Sequence, residues 1–121
     1  MNFSNDKAIY MQMAERLCDE ILAGTYGDDS RIPSVREYAV LLQVNTNTAV
    51  KAYDELARGG IIYNRRGLGY FVQAGAREKI LEARRAEFTS ETLPGVFRSM
   101  RLLGIGIDEV TEAWRKEEGG R

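Results

Sequence analysis

The most constraining feature of this sequence is a pair of short amphipathic helix patterns separated by only three residues. The first pattern follows Pro33 and opens with Ser34-Val35-Arg36-Glu37, where the serine hydroxyl can cap a helix and the glutamate can reach back. Its apolar residues recur at i, i+3, i+4 and i+7, which predicts a helix from about Val35 to Leu42. The second pattern has the same spacing, begins after a capping Asn45 and ends at Gly59-Gly60.

The short link Gln43-Val44-Asn45 makes these two helices a helix-turn-helix motif, in which we expect Val44 to pack between them. A strand–turn–strand pattern follows, because Ile61-Ile62-Tyr63 and Tyr70-Phe71-Val72 are separated by a glycine-bearing turn. That turn carries Arg65 and Arg66. With a third helix that precedes them, these two helices and the basic hairpin follow the order of elements in a winged helix-turn-helix domain.

A further helix pattern precedes this motif. Its apolar residues recur every four positions, as they do on the buried face of a helix. We predict this helix from about Lys7 to Ala23, with Asp6 as its cap and Gly24 as its end.

A sparse apolar stripe continues after the hairpin and predicts a helical tail. Pro94 marks a new start or a kink within it, residues 103–106 form a turn, and Asp108 can cap a last short helix. The predicted fold is therefore mainly α-helical with a small β-hairpin. It consists of an N-terminal winged helix-turn-helix domain over residues 1–75 and a short C-terminal helical dimerisation tail over residues 76–121.

The composition argues against an enzyme or a metalloprotein. The 121 residues include no histidine and one cysteine, Cys18, so the commonest metal ligand and the commonest general base are missing. No phosphate-binding P-loop is present, and we expect neither a cofactor nor a catalytic site. The chain also lacks a membrane-spanning run of about 18 apolar residues and a secretory signal, so we expect a cytoplasmic protein.

Basic charge is concentrated in the middle of the chain. The formal net charge is −1, but residues 31–77 carry seven basic and three acidic side chains, a balance of +4. A local basic face is sufficient to meet the phosphates of a nucleic acid. Chance unevenness of a solvated surface explains the same charges, so charge alone leaves the partner open.

The outward face of the second helix of the motif carries side chains that can recognise DNA. When its apolar residues face the core, Asn47 and Lys51 fall on the opposite side. Asn47 can hydrogen-bond adenine N6 and N7, and Lys51 can reach guanine or a phosphate. Thr46 and Thr48 in the first turn can contact phosphates or a thymine methyl group. Solvated positions without a partner are the alternative, and Asn45 is better explained as a cap.

Three basic residues outside that helix are further candidates. Arg36 lies in the first turn of a helix, where a cation meets the helix dipole unfavourably, which suggests an anionic partner. A salt bridge to Glu37 is the alternative. Arg65 and Arg66, with Gly67 at the hairpin tip, can enter a minor groove, because arginine favours its negative potential and glycine permits close approach. An exposed basic turn that keeps the hairpin soluble is the other interpretation.

Three stretches of the chain resemble the signatures of GntR-type bacterial transcription regulators. RIPSVREYA at residues 31–39 resembles RLPSVRELA, residues 44–56 resemble the recognition helix of the YtrA-like branch, and residues 61–72 resemble its wing. In that family the matching helix-two arginine, recognition-helix start and wing glycine contact DNA. The resemblance carries these roles to Arg36, Thr46, Asn47, Thr48, Arg66 and Gly67. With the residue chemistry above, the predicted contacts to double-stranded DNA are Ser34, Arg36, Thr46, Asn47, Thr48, Lys51, Arg65, Arg66 and Gly67.

Three positions depart from the family pattern. Gln43 stands where the turn often has glycine, so the turn must satisfy its backbone in another way. Thr46 stands where many members have arginine or proline, and Val50 where many have a second arginine. The operator sequence therefore cannot be inferred from arginine-bearing relatives.

The chain after the wing is short. Larger members of the family carry an effector domain of well over a hundred residues, whereas about 48 residues follow Gln73. This resembles the YtrA-like branch, whose short helical tail implies dimerisation. A stripe this sparse would stay half exposed on a monomer, and a second copy would bury it. The predicted dimer contacts are Leu81, Phe88, Leu93, Val96, Phe97, Met100, Leu103 and Trp114.

We therefore expect a homodimer that binds a pseudo-palindromic operator and represses transcription by occupying promoter DNA. A winged-helix module that binds another protein, without direct DNA contact, is the alternative, because many winged helices bind proteins. A steep loss of binding with added salt would favour DNA. The sequence neither indicates nor excludes a small-molecule effector.

Overall fold

The computed structural model describes Phe3 and residues 7–120, and it divides into two compact units, Met1–Glu82 and Ala83–Arg121. The division lies beyond the boundary expected after residue 75, because Ala76 and Ile80 are buried in the core of the first unit. None of the helices in the described part of the chain combines the length and the apolar composition that crossing a bilayer requires. In chain order, the elements are α1 (Ile9–Leu22), α2 (Val35–Leu42), α3 (Thr46–Arg58), β1 (Ile62–Arg65), β2 (Gly69–Val72), α4 (Ala76–Glu87), a π-helical turn (Phe88–Thr92), α5 (Leu93–Leu103) and α6 (Ile107–Gly119).

The helices of the predicted helix-turn-helix begin where their capping residues place them. The Glu37 N–H donates to Ser34 Oγ at 3.1 Å, and the Ser34 N–H donates to Glu37 Oε1 at 2.9 Å, which confirms the capping box of α2. Asn45 caps α3, since its Oδ1 accepts a hydrogen bond from the Asn47 N–H at 2.8 Å. These bonds satisfy backbone N–H groups that have no partner within the helix.

Gln43 makes the turn between α2 and α3 with a left-handed backbone, at φ +57° and ψ +48°. This conformation is costly for a residue with a Cβ atom. The turn nevertheless satisfies its backbone, because the Val44 N–H donates to the Ala39 carbonyl at 2.9 Å. Val44 is half-buried against the core, as predicted.

The wing is an antiparallel hairpin whose register places Arg65 opposite Gly69 at its tip. Each strand has four residues where three were predicted, because the chain reverses within residues 66–68 alone, and Ile61, predicted in the first strand, lies before β1. The Leu68 N–H closes this reversal by donating to the Arg65 carbonyl at 2.8 Å. The polar and glycine positions flanking the tip therefore belong to the ladder and not to the turn.

A third extended segment borders β2. Arg31 forms an isolated antiparallel bridge with Phe71, and the Ile32 N–H donates to the Tyr70 carbonyl at 3.0 Å. Two residues later Ser34 caps α2. The wing and the start of α2 are thus joined through a short hydrogen-bonded segment.

The first helix differs slightly from its predicted bounds. α1 begins at Ile9 and not at Lys7, with Ala8 at the N-cap position and no capping side chain. It ends at Leu22, one residue before the predicted end. The predicted cap, Asp6, lies outside the described residues.

A single core supports the first unit. Its two largest side chains, Tyr38 and Tyr53, are fully buried with satisfied hydroxyls: Tyr38 donates to Glu20 Oε1 at 2.5 Å, and Tyr53 donates to the Pro33 carbonyl at 2.6 Å. Burial raises the pKa of both phenols, so both remain donors at neutral pH. The buried apolar residues are Met13, Leu17, Ile21, Ile32, Tyr38, Ala39, Leu42, Ala49, Ala52, Tyr53, Leu56, Ile61, Ile62, Val72, Ala76 and Ile80.

The second unit contains the end of α4, the π-helical turn, α5 and α6. Pro94 lies in the first turn of α5, as expected for a new helix start, and Gly104 ends that helix with φ +69°. The prediction that Asp108 caps the last helix is wrong, because α6 begins after Gly106 and Asp108 is its second residue. The carboxylate still lies near the positive end of the helix dipole. None of the described residues from 83 to 120 is buried.

Candidate nucleic-acid interface

The first turn of α3 presents three of the predicted DNA contacts. The side chains of Thr46 and Asn47 are exposed, and Thr48 is half-buried. Asn45 acts as the helix cap, as predicted, so its Oδ1 is already engaged with the backbone. The exposed Asn47 amide can both donate and accept, which is what the paired N6 and N7 groups of adenine require.

Lys51 lies on the outward face of α3, but its ammonium is turned toward α1. Nζ lies over the ring of Tyr10, 4.2 Å from the ring centroid. The neighbouring acid, Glu55, instead accepts a hydrogen bond from Arg58 Nη1 at 2.8 Å. Lys51 is therefore oriented by an aromatic ring and not by a carboxylate. Tyr10 is not among the residues that the sequence indicated, because its contact joins two separate helices.

At the start of α2, the Ser34 hydroxyl is hydrogen-bonded within the helix, and the Arg36 side chain is exposed. Ser34 is half-buried, and its Oγ accepts from the Glu37 N–H, so only its hydroxyl hydrogen is available to a phosphate. Arg36 is exposed and makes no ion pair with any acidic residue that the structure describes. The hydrogen bond from the Ser34 N–H lowers the pKa of Glu37, and the charge of Arg31 adds to the effect. The alternative salt bridge between Arg36 and Glu37 is thus not formed.

The two arginines of the wing differ in their surroundings. Arg65 lies over Phe71, with its guanidinium carbon 5.1 Å from the ring centroid. Phe71 also stacks on Tyr63, whose hydroxyl donates to Asp29 Oδ1 at 2.9 Å, and this bond raises the pKa of Tyr63. Arg66 is exposed in the turn. Tyr63 and Phe71 therefore stack on each other within the wing, and Phe71 orients Arg65.

Two glycines shape the wing in different ways. Gly67 in the turn has φ +78°, and a Cβ atom there would meet nothing within 4 Å, so the tip is open to close approach. Gly69 has φ +105°, and a Cβ atom there would lie 3.2 Å from Nε of Arg31. Arg31 thereby adds an exposed cation beside the wing that the sequence-based prediction did not include. Its place at the start of the RIPSVREYA stretch is the signal that could have indicated it.

Tyrosine contacts connect the elements that carry these side chains. Tyr53 of α3 donates to the carbonyl of Pro33, the residue before Ser34. Its ring meets the ring of Tyr70 in β2 edge-on, with centroids 5.1 Å apart. Tyr53 therefore connects the middle of α3 to the residue before the α2 cap and to strand β2 of the wing, while Arg66 lies in the exposed turn.

The predicted dimer contacts are all exposed or half-buried, and Trp114 is 64% exposed. Leu81 lies in the first unit and the other seven in the second. Two more apolar side chains of the second unit are largely exposed, Leu102 at 87% and Ile107 at 63%. They were not predicted, because each adjoins a turn at which the helical spacing is interrupted.

Comparison with known proteins identifies a family. The sequence model described as "Bacterial regulatory proteins, gntR family" matches residues 9–72. The chain is 34% identical to the HTH-type transcriptional regulator YhcF of Bacillus subtilis (strain 168), over 98% of this chain and 97% of that protein. It is 32% identical to the HTH-type transcriptional repressor YtrA of the same organism, over 90% of this chain and 82% of that protein. These relatives are transcription regulators and not enzymes.

Solved structures agree with this assignment. A transcriptional regulator of the GntR family from Bacteroides thetaiotaomicron is 43% identical with a TM-score of 0.79, covering 93% of this chain and 97% of that one. The DNA-binding domain of AraR in complex with operator ORX1 is 28% identical with a TM-score of 0.53, covering 59% of this chain and 92% of that one. The chain therefore belongs to the GntR family of bacterial transcription regulators.

Proposed function

We propose that this protein is a cytoplasmic homodimer that binds a pseudo-palindromic operator and represses transcription by occupying promoter DNA. The observation that carries the proposal is the set of open DNA-binding groups, exemplified by Arg36, Asn47 and Arg66, on elements of one unit. The relatives support it, since YtrA is named a repressor and the AraR domain was solved with an operator.

The start of α3 supplies the base contacts in the major groove. Asn47 pairs its amide with adenine N6 and N7, and Lys51 reaches guanine or a phosphate. Thr46 and Thr48 contact phosphates or a thymine methyl group. Base contacts of this kind determine the sequence that is bound, so α3 sets the operator preference.

The start of α2 and the wing supply the contacts that position the protein. Arg36 and the Ser34 hydroxyl bind the phosphate backbone, which fixes the orientation of α3 without selecting a sequence. Arg65 and Arg66 enter the minor groove, where the open tip at Gly67 permits close approach to the sugar–phosphate wall. Released counterions make this part of the affinity strongly dependent on salt.

The second unit, together with Leu81 of the first, supplies the dimer interface. None of its described side chains is buried in the monomer, so its apolar faces require a partner surface. A second copy would cover these faces and hold two DNA-binding units about one helical turn of DNA apart, as a two-fold operator demands. The proposed contacts are Leu81, Phe88, Leu93, Val96, Phe97, Met100, Leu103 and Trp114.

The test starts with selection from a pool of randomised DNA duplexes by the full-length protein. We expect enrichment of a sequence with two-fold symmetry. Asn47→Ala and Arg66→Glu should each weaken binding of the selected duplex roughly 5- to 150-fold, which corresponds to about 1–3 kcal/mol. Lys116→Glu makes a comparable charge reversal on α6, outside the proposed face, and should leave the affinity unchanged.

Salt dependence and sedimentation complete the test. The affinity of the wild-type protein should fall steeply with added salt, and Arg66→Glu should reduce the slope of the log–log plot by about one. Sedimentation of the free protein should show a dimer. Failure to enrich any sequence, or an affinity that does not respond to salt, would exclude direct DNA binding and favour a protein-binding module.

A further inference from the structure

We infer that Tyr10 is a positioning residue for DNA recognition, whose ring holds the ammonium of Lys51 at the edge of the DNA-binding face of α3. The inference rests on the proposed function and adds to it a residue from α1. Tyr10 lies in the first turn of α1 and is half-buried against the core, so its ring has a fixed support. Lys51 Nζ lies 4.2 Å from the centroid of that ring.

An aromatic ring suits this task because it orients a cation without neutralising it. The ring face carries the negative part of the aromatic quadrupole, and 4.2 Å is within the range of a cation–π contact. A carboxylate at the same place would cancel the charge and compete with a DNA phosphate. Glu55, one turn after Lys51, does not take that role, because it accepts from Arg58 at 2.8 Å.

The contact also restricts a side chain that is otherwise mobile. A free lysine loses considerable rotamer entropy when it binds, and that loss opposes complex formation. Lys51 has part of its freedom removed already in the unbound protein, so less is lost on binding DNA. Asn47 lies one turn before Lys51 on the same face of α3. Tyr10 holds the Lys51 ammonium on the side of that face that is nearer to α1.

Tyr10 can be tested more cleanly than the similar contact in the wing. Phe71 orients Arg65 in the same manner, with 5.1 Å between the guanidinium carbon and the ring centroid. Phe71 is also stacked on Tyr63, so its replacement would alter the hairpin itself. Tyr10 lies outside every element to which DNA contacts are assigned, so an effect that disappears without Lys51 passes through Lys51.

The experiment measures binding of the selected duplex to the full-length protein by fluorescence anisotropy. Tyr10→Leu removes the ring but retains apolar bulk, and it should weaken binding roughly two- to fivefold, because the cost of ordering the lysine side chain then falls on the binding step. Tyr10→Phe retains the ring and should bind like the wild type. In a Lys51→Gln background, Tyr10→Leu should have no further effect. Met11→Ala, at the next and exposed position of α1, is the matched control and should leave binding unchanged.

Three results would overturn the inference: no loss with Tyr10→Leu, an equal loss with Tyr10→Phe, or a loss that persists in the Lys51→Gln background. Should Tyr10→Leu unfold the protein, pentafluorophenylalanine in place of Tyr10 keeps the ring shape while removing its negative face. Weakened binding then supports the inference, and unchanged binding overturns it. Failure to select any duplex counts against DNA binding itself, whereas a selected duplex bound equally well by the Tyr10 variants counts against Tyr10 alone.

Discussion

Among the described residues of the first unit, sixteen apolar side chains are buried in one core, whereas in the second unit none of the described residues 83–120 is buried. The helix starts differ as well, apart from α1, which has no capping side chain. Ser34 and Asn45 cap α2 and α3 with side-chain hydrogen bonds, while α5 and α6 begin without a capping side chain. Two regions of one chain thus differ in both of the main sources of local stability.

The difference shows which region can be ordered by itself. Fixing a residue costs about 1–2 kcal/mol of conformational entropy, which the first unit offsets by apolar burial. Helices of 11 and 13 residues, the lengths of α5 and α6, are marginal in water without tertiary packing. We therefore expect the DNA-binding unit to fold as a monomer and the second unit to be ordered by association.

The largest expected effect comes from removing a core side chain of the first unit. Leu17 is fully buried, and Leu17→Ala should lower the free energy of unfolding by about 2–5 kcal/mol, because a cavity remains. Leu103→Ala removes the same atoms from a side chain that is 71% exposed. It should change the unfolding of the first unit by less than about 0.5 kcal/mol and act on dimer dissociation alone. The measurement is urea denaturation followed by circular dichroism. Equal losses of unfolding free energy in Leu17→Ala and Leu103→Ala would contradict the difference between the two units.

Removal of the second unit is expected to have the next largest effect. A chain that ends after Glu82 keeps the whole core and should fold, but it should sediment as a monomer. Its affinity for the selected duplex should fall at least about 100-fold, or about 2.7 kcal/mol, because two linked binding events become one. A chain that ends after Gly75 also loses the buried Ile80 and should be less stable than the longer fragment. A fragment ending at Glu82 that still dimerises would contradict the comparison.

Capping residues explain why the helix-turn-helix could be located so closely from the sequence. Ser34 and Asn45 form hydrogen bonds within three residues, so the local sequence contains all the information about these helix starts. Where the N-cap is Ala8 or Gly106, no such bond exists, and the predicted starts of α1 and α6 were displaced. The strands of the wing extend into polar and glycine positions, where hydrophobic alternation carries no signal.

The sequence predicted which side chains of the candidate site are exposed, but it did not predict which residues they contact. Helical periodicity is sufficient to turn Asn47 outward from the buried face of α3. The pairs Lys51–Tyr10 and Arg31–Gly69 join residues that are distant in sequence, so only the packed structure brings them together. For the same reason, the sequence did not show that Arg65 is held against a ring while Arg66 is exposed.

The helix caps offer a smaller test of the comparison. Ser34→Ala removes the bond to the Glu37 N–H and should lower the free energy of unfolding of the first unit by about 1 kcal/mol. Gly106→Ser introduces a capping hydroxyl at the start of α6, and it should stabilise the second unit by only about 0.3 kcal/mol. Urea denaturation of the Glu82-truncated chain measures the first effect, and dimer dissociation of the full-length chain measures the second. A larger effect at Gly106 than at Ser34 would reverse the expected order.

The last test concerns two of the turns that use a left-handed residue, Gln43 in the first unit and Gly104 in the second. A left-handed backbone costs a residue with a Cβ atom about 1–2 kcal/mol, and glycine gives back about 0.4–1 kcal/mol through its more flexible unfolded chain. Gln43→Gly should therefore raise the free energy of unfolding of the first unit by about 0.5–1 kcal/mol, measured by urea denaturation.

Gly104→Gln is the matched change in the other unit and should have the opposite sign. A Cβ atom at Gly104 would meet nothing within 4 Å, so the backbone conformation alone opposes the substitution. The dimer should dissociate more readily by a similar free energy, because a turn without a buried core has no other interaction to offset the strain. A stabilising Gly104→Gln, or a destabilising Gln43→Gly, would mean that side-chain contacts and not backbone conformation decide these turns. The left-handed backbone at Gln43 and Gly104 would then not distinguish the unit with a buried core from the unit without one.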